Sequence, residues 1–166
     1  MGERGLTQIY WGGGKGKTTT AMRTALRNSD KSIKIHLVQF MKNSPISELE
    51  TMSKFYNFTY RQFGSDEIIK ELSLSEIARV DEALWHLRQA MQEGKNIIIA
   101  DDILYAVQTG LLKEQQIIDL IKSKPVETEL ILTGSHAAFP RIFELADLVT
   151  EMKNKNEAVH KTQVSL

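Results

Sequence analysis

Residues 6–19 read LTQIYWGGGKGKTT, an apolar run that passes directly into a glycine-rich loop. The pattern of residues 6–11 is typical of a strand, and an amphipathic helix is predicted from about Gly16 to Asn28. In such a loop the glycines allow backbone N–H groups to turn towards an anion, and the start of the helix adds partial positive charge. The stretch therefore predicts a strand, a phosphate-binding loop and a helix in succession.

The loop supplies the residue types that bind a triphosphate. Lys17 would place a full positive charge against the phosphates, and the Thr18 hydroxyl would be a ligand for Mg²⁺. A strict phosphate-loop pattern has a glycine where this chain has Trp11, so the alternative is a flexible glycine turn with solvated lysines. The position between a strand and a helix favours triphosphate binding, and the predicted nucleotide-binding set is Gly12, Gly13, Gly14, Lys15, Gly16, Lys17, Thr18 and Thr19.

Apolar runs alternate with amphipathic stretches along the rest of the chain. Further strands are predicted at 33–40, 58–63, 96–100, 129–133 and 147–150, and further helices at 75–93, 113–123 and 139–145. Ser73 and Glu76 form a capping-box pattern at the start of the longest helix. The alternation predicts an α/β fold with an open, mostly parallel sheet and helices on both faces. We expect one domain over residues 1–166, with a polar tail that is mobile from about Lys153.

Two carboxylates follow the apolar run of residues 96–100. Asp101 and Asp102 would lie at the carboxyl edge of the sheet, where the phosphate loop also lies. Mg²⁺ is usually held there by one or two carboxylates together with substrate phosphates and waters. The alternative is that an aspartate caps a helix starting near Ile103, and the two roles are compatible because there are two aspartates.

Composition excludes several classes of protein. Among 166 residues, 21 Lys and Arg balance 21 Asp and Glu, which argues against a nucleic-acid coat or a polybasic membrane binder. No cysteine is available as a nucleophile or thiolate ligand, and the four histidines lack metal-ligand spacing, so His36 and His86 are expected to pack or to lie at the surface. We find no signal-peptide core and no membrane-length apolar run. We therefore expect a cytoplasmic protein with no nucleic-acid or membrane partner.

Several motifs occur in order along most of the chain. They are the glycine-rich loop, Val38-Gln39-Phe40 with Lys42, Asp101-Asp102, Leu132-Thr133-Gly134, and Ala146-Asp147-Leu148-Val149-Thr150-Glu151-Met152. In this combination the sequence resembles the ATP:corrinoid adenosyltransferases, from about residue 6 to 160. Members of that family share the altered loop without a first glycine, and the last tract is far more specific than the loop alone.

The resemblance implies a P-loop NTPase fold of the RecA-like type and a particular reaction. The Co(I) of a reduced corrinoid would attack the 5′ carbon of ATP, and triphosphate would leave, in cobalamin biosynthesis or salvage. Lys17 and Asp102 would be catalytic. Thr18 and Asp102 would ligate Mg²⁺ with Asp101 supporting them, and Arg27 would contact the nucleotide from the first helix.

The resemblance also implies residues on the corrinoid side. Gln39 and Lys42 mark the loop after the second strand. Phe63 would replace the tryptophan that many members place against the corrin, and His136 lies near the position of an arginine that usually follows Thr133-Gly134. Relatives imply a homodimer, and the reduced corrinoid implies a reductase as electron donor.

Two other functions stay open from the residues alone. One is a P-loop kinase or NTPase that acts at the γ-phosphate, although neither an arginine-rich lid nor a base for a phosphoryl acceptor is evident in the sequence. The other is a regulator that binds ATP without catalysis and has lost the corrin site.

Overall fold

A computed structural model describes residues 4–27, 32–65 and 72–156. The strands are β1 (Thr7–Trp11), β2 (Ile35–Phe40), β3 (Phe58–Phe63), β4 (Ile97–Asp101), β5 (Glu129–Thr133) and β6 (Leu148–Glu151). The helices are α1 (Lys17–Arg27), α2 (Ser47–Met52), α3 (Leu74–Gln92), α4 (Ile103–Gln108), α5 (Glu114–Lys122) and α6 (Pro140–Phe143). Of the predicted tail, residues 153–156 are described and 157–166 lie outside the described residues.

The six strands form one sheet in the order β3-β2-β4-β5-β1-β6, and every strand pair is parallel. The predicted parallel α/β fold is confirmed. Because parallel strands all end at the same edge, the segments that follow β4, β5 and β1 lie side by side. The glycine-rich loop of residues 12–16 is one of these segments, and Asp102 begins another.

Helices cover both faces of the sheet, as the sequence predicted. Successive strand residues point to opposite faces. In β2, Val38 and Phe40 therefore join a core with α3, α4, α5 and α6, whereas Ile35 and Leu37 join a second core with α1 and α2. All six residues of β2 are buried, whereas all four residues of the edge strand β6 are exposed.

Local details depart from the sequence pattern in two places. The short helix α2 lies in a stretch, residues 41–57, whose periodicity predicted no element. At the start of α3, the Ser73 hydroxyl accepts a hydrogen bond from the Glu76 backbone N–H at 3.2 Å, as a capping box requires. The Glu76 carboxylate does not return to the cap, because it accepts a hydrogen bond from Ser65 and pairs with Arg79. Among the described residues, no helix combines the length and the apolar character needed to cross a bilayer.

Candidate functional site

The glycine-rich loop is fastened to the two segments beside it. The Gly12 N–H donates to the Ser135 carbonyl at 2.9 Å, and the Gly14 N–H donates to the Met152 carbonyl at 2.7 Å. Gly12 has a φ of 106°, and a Cβ there would lie 2.4 Å from the Met152 carbonyl oxygen. Only glycine fits such a position, so the close contact with the end of β6 explains why this residue lacks a side chain.

The Lys17 side chain turns back into the loop. Its Nζ donates to the carbonyls of Gly12 at 2.7 Å and Gly14 at 2.8 Å. Burial is the main cause that lowers the pKa of Lys17, and the nearby Lys42 adds to it, while Asp102 and Asp101 oppose the change. The loop therefore holds a partly desolvated ammonium group on its inner side.

Asp101 is wholly buried and accepts three hydrogen bonds. Its Oδ1 accepts from the hydroxyls of Thr18 at 2.7 Å and Thr133 at 2.6 Å. Its Oδ2 accepts from the Gln39 amide at 2.7 Å. Hydrogen bonds to a carboxylate are stronger than neutral ones, so this group fixes the orientation of all three partners.

Asp102 has a different environment from its neighbour. Its backbone has a φ of 60°, and its N–H donates to Thr133 Oγ1 at 2.9 Å. Its Oδ2 pairs with Lys42 Nζ at 2.7 Å. Burial and the charge of Asp101 raise the pKa of Asp102, although Lys42 and Lys17 oppose the increase.

The same ion pair affects Lys42. Burial by itself would lower the pKa of Lys42, but the hydrogen bond to Asp102 and the charges of Asp102 and Asp101 raise it.

Neither aspartate caps a helix through its side chain. Asp102 occupies the N-cap position of α4, but its side chain makes no capping hydrogen bond.

Three polar side chains lie side by side on neighbouring strands: Gln62 on β3, Gln39 on β2 and Asp101 on β4. Gln39 is paired in register with Asp101 on β4 and with Gln62 on β3. The Gln62 amide donates to Gln39 Oε1 at 2.7 Å and to the Ser44 carbonyl at 2.9 Å.

The sequence did not indicate Gln62, and it indicated Thr133 only as part of the motif Leu132-Thr133-Gly134, without a role in the site. Thr133 directly follows an apolar run in β5, which was the signal available for it. In β3, Thr59 and Arg61 are polar as well, so composition did not single out Gln62.

The residues predicted on the corrinoid side do not form one cluster. Gln39 is wholly buried and contacts Asp101 instead of open space. Phe63 is half-buried, with its ring centroid 5.6 Å from that of His86. His136 is exposed beside Tyr105, with ring centroids 6.2 Å apart. Two strands separate β3 from β5, so the segments bearing Phe63 and His136 are about 14 Å apart along the edge.

The structure brings most, but not all, of the predicted nucleotide-binding residues together. Lys15 is exposed, and its N–H lies 3.4 Å from Asn154 Oδ1 in a long hydrogen bond. Thr19 is exposed in the first turn of α1. Arg27 is the last residue of α1, about 15 Å along the helix axis from Lys17, so the structure does not place it with the loop.

The donor set around Thr18 suits a hard cation that arrives with phosphates. Thr18, Asp101 and Asp102 supply only oxygen atoms, which are the ligands that Mg²⁺ prefers. Within the described ranges, no group of three or more His, Cys, Asp or Glu side chains is close enough to hold a metal ion. The residues therefore fit Mg²⁺ bound jointly with a substrate, and not a metal cage built from protein ligands alone.

Comparisons with known proteins agree with the motifs. The family model described as ATP:corrinoid adenosyltransferase BtuR/CobO/CobP matches residues 3–165. The chain is 28% identical to the corrinoid adenosyltransferase of Escherichia coli (strain K12), in an alignment covering 99% of this chain and 86% of that protein. It is 25% identical to the corrinoid adenosyltransferase of Pseudomonas aeruginosa, over 90% of this chain and 75% of that protein. It is 24% identical to corrinoid adenosyltransferase CobA of Salmonella typhimurium, over 91% of this chain and 78% of that protein.

The family match covers nearly the whole sequence, and the fold and the motif positions are consistent with it. It confirms the prediction of a corrinoid adenosyltransferase, and hence of a transferase. ATP and a corrinoid as substrates fit the name of the family. The chain belongs to the ATP:corrinoid adenosyltransferase family.

Proposed function

We propose that this chain transfers the 5′-deoxyadenosyl group of MgATP to the Co(I) of a reduced corrinoid and releases inorganic triphosphate. The observation that carries the proposal is the position of the Lys17 ammonium inside the loop, beside a Thr18 hydroxyl that is bonded to Asp101. In the bond exchange, the Co(I) electron pair forms the Co–C5′ bond, and the electrons of the C5′–O bond leave with the triphosphate.

Lys17 would bind the triphosphate and stabilise it as it leaves. Its Nζ now donates to two backbone carbonyls, and phosphate oxygens would be stronger acceptors because they are charged. Negative charge grows on the bridging oxygen as the C5′–O bond breaks. A cation held in place before the reaction stabilises that charge without reorganising solvent, which lowers the barrier.

Thr18, Asp102 and Asp101 would hold Mg²⁺ with the triphosphate. The Thr18 hydroxyl donates its hydrogen to Asp101, so the lone pairs of its oxygen are left for a cation. Asp101 already accepts three hydrogen bonds, which suits the supporting role that the sequence predicted. Asp102 would become a ligand by exchanging its ion pair with Lys42 for the metal. When bound, Mg²⁺ would neutralise part of the triphosphate charge.

The corrinoid supplies the nucleophile in this scheme, so the protein acts by positioning its two substrates. The resemblance implies a corrinoid in its reduced Co(I) form, and we propose that a separate reductase supplies the electron. A cytoplasmic location and a homodimer complete the proposal; both rest on the sequence and its resemblance to the family.

The test is anaerobic incubation of the protein with MgATP and chemically reduced cob(I)alamin, followed by absorption spectroscopy. Light-sensitive adenosylcobalamin, formed only with protein present, supports the proposal. Release of ADP or orthophosphate without adenosylcobalamin would mean chemistry at the γ-phosphate. Binding of ATP without turnover would mean a regulator, and either of these results would overturn the proposal.

A further inference from the structure

We propose that Gln62 is a positioning residue for this reaction, which ties the loop between β2 and α2 to the metal-site carboxylate Asp101 through Gln39. This inference rests on the proposed function for its kinetic consequence. The loop, residues 41–46, carries Lys42 and leads away from the carboxyl edge of β2.

The connection consists of three consecutive hydrogen bonds. Asp101 Oδ2 accepts from Gln39 Nε2 at 2.7 Å, and Gln39 Oε1 accepts from Gln62 Nε2 at 2.7 Å. Gln62 Nε2 also donates to the backbone carbonyl of Ser44 at 2.9 Å. The three side chains lie in one row of the sheet, because Gln39 is in register with both Asp101 and Gln62. We call Asp101, Gln39 and Gln62 the amide relay.

The charge of Asp101 sets the direction of every bond in the amide relay. An ionised carboxylate accepts hydrogen bonds and donates none, so Gln39 must turn its NH₂ group towards Asp101. The Gln39 oxygen then faces Gln62, which must present its own NH₂ group. That group has two hydrogens, and the second one reaches the Ser44 carbonyl. A carboxylate in place of the Gln62 amide could donate neither bond.

A second contact holds the same loop to the same pair of acids. Lys42 Nζ lies 2.7 Å from Asp102 Oδ2. The loop is therefore attached directly to Asp102 by the Lys42 side chain. Two residues later, the Ser44 carbonyl accepts from Gln62, which connects the loop to Asp101 through Gln39. We infer that the amide relay keeps the loop in place when Asp102 gives up Lys42 to bind the metal. Losing it would free this loop, which the resemblance to the family assigns to the corrinoid side, and would leave the phosphate loop intact.

Gln62 is the appropriate residue to change. It is half-buried, whereas Gln39 is wholly buried, so substitution at Gln62 perturbs the core least. Gln62→Glu keeps the shape and removes both donated bonds, and Gln62→Met removes them without adding charge. The matched control is Gln115→Glu, which makes the same charge change at an exposed amide that bonds Asp119 on α5.

Two measurements separate positioning from a general loss of structure. Hydrogen exchange should become about tenfold faster at the amides of residues 41–44 and 46 in both Gln62 variants, because the Ser44 carbonyl loses its donor. It should stay unchanged at residues 12–18, since the hydrogen bonds of Gly12, Gly14 and Thr18 do not involve Gln62. With turnover, kcat/KM for the corrinoid should fall about tenfold, while the ATP dissociation constant stays within about twofold of the wild-type value. Gln115→Glu should match the wild type in both.

Unchanged exchange of the loop in the Gln62 variants would overturn the inference. So would an equal weakening of ATP and corrinoid binding, because that would indicate damage to the whole edge. The exchange experiment needs no turnover, so it tests the amide relay even if the wild-type protein forms no adenosylcobalamin. A wild-type protein that forms no adenosylcobalamin would overturn the proposed function, and the exchange experiment would still decide the inference about Gln62.

Discussion

The Thr18 hydroxyl donates a 2.7 Å hydrogen bond to the Asp101 carboxylate, joining two residues that are 83 positions apart. The bond connects the start of α1 to the end of β4 at the carboxyl edge of the sheet. Since the hydroxyl hydrogen is used there, the oxygen of Thr18 keeps its lone pairs for another partner. This single contact links the phosphate loop to the acidic pair, by which we mean Asp101 and Asp102.

Thr18→Val should abolish the dependence of ATP binding on Mg²⁺ with little change in shape, because valine keeps the branched side chain without a hydroxyl. We expect kcat/KM for ATP to fall about 100-fold, which is the upper range for loss of a contact that orients a metal. Titration of nucleotide binding with and without Mg²⁺ measures the effect. Thr20→Val on α1 is the control, and a Thr18→Val enzyme that still responds to Mg²⁺ as the wild type does would contradict the assignment.

The two aspartates should respond differently to the same change. Asp101→Asn places an NH₂ group among three donors in a wholly buried site, so we expect a loss of about 2–4 kcal/mol in the free energy of unfolding. The pKa of Asp102 is raised, which means that its ionised form is disfavoured in the folded protein. Asp102→Asn should therefore leave stability unchanged or higher while reducing activity.

Denaturant unfolding and steady-state kinetics on the two variants together measure this contrast. Equal loss of stability in both variants would contradict the difference between the buried, hydrogen-bonded Asp101 and the lysine-paired Asp102. Glu144→Gln, at an exposed residue that ends α6, controls for removing one negative charge.

Lys17→Ala should weaken ATP binding by about 100-fold or more, because a charge-assisted contact with the triphosphate is lost in a partly desolvated loop. Lys122→Ala on α5 removes an exposed lysine at another place and should bind ATP normally. Calorimetric titration with ATP gives both constants. An unchanged dissociation constant for Lys17→Ala would remove the phosphate-loop assignment.

His36 should make the folded protein sensitive to acid. Its Nδ1 is 2.7 Å from Thr59 Oγ1 and its Nε2 is 3.1 Å from His86 Nε2. Burial, followed by the charges of His86, Lys95 and Arg61, lowers the pKa of His36 from 6.5 to about 4. Because the folded value is depressed, the neutral ring contributes stability above pH 6.5 that is lost as the pH falls through about 4.

The size of this contribution is about 3 kcal/mol, from the difference between the two pKa values. Denaturant unfolding between pH 7 and 4 should show a steeper decline for the wild type than for His36→Gln, which keeps a polar group and does not titrate. His136→Gln, at an exposed ring, should follow the wild type. Parallel curves for His36→Gln and the wild type would refute the role of the histidine pair.

Strands and helices were predicted correctly where apolar residues recur at a regular spacing along the sequence. β3 occupies residues 58–63 as predicted, and the alternation of Phe58 and Tyr60 supplied the signal. The meeting of Lys17, Thr18 and the two aspartates was also predictable, since parallel strands deliver their ends to one edge. The short helix α2 was missed because six residues are too few to show a helical period.

The contacts that organise the site could not be predicted from the sequence. Whether Gln62 reaches Gln39 depends on strand register, which local residue patterns do not determine. The motif also assigned Gln39 to the substrate side, whereas tertiary packing buries it against Asp101. Likewise, the ion pair between Lys42 and Asp102 depends on the path of a loop with no periodic pattern.

The proposed reaction requires that ATP react at its 5′ carbon and not at its γ-phosphate. Phosphorus NMR of an anaerobic reaction with MgATP and cob(I)alamin tests it directly, because it identifies the released phosphate species. We expect inorganic triphosphate in equal amount to adenosylcobalamin, with neither product formed by Lys17→Ala. Conversion of ATP to ADP with no triphosphate signal would contradict it.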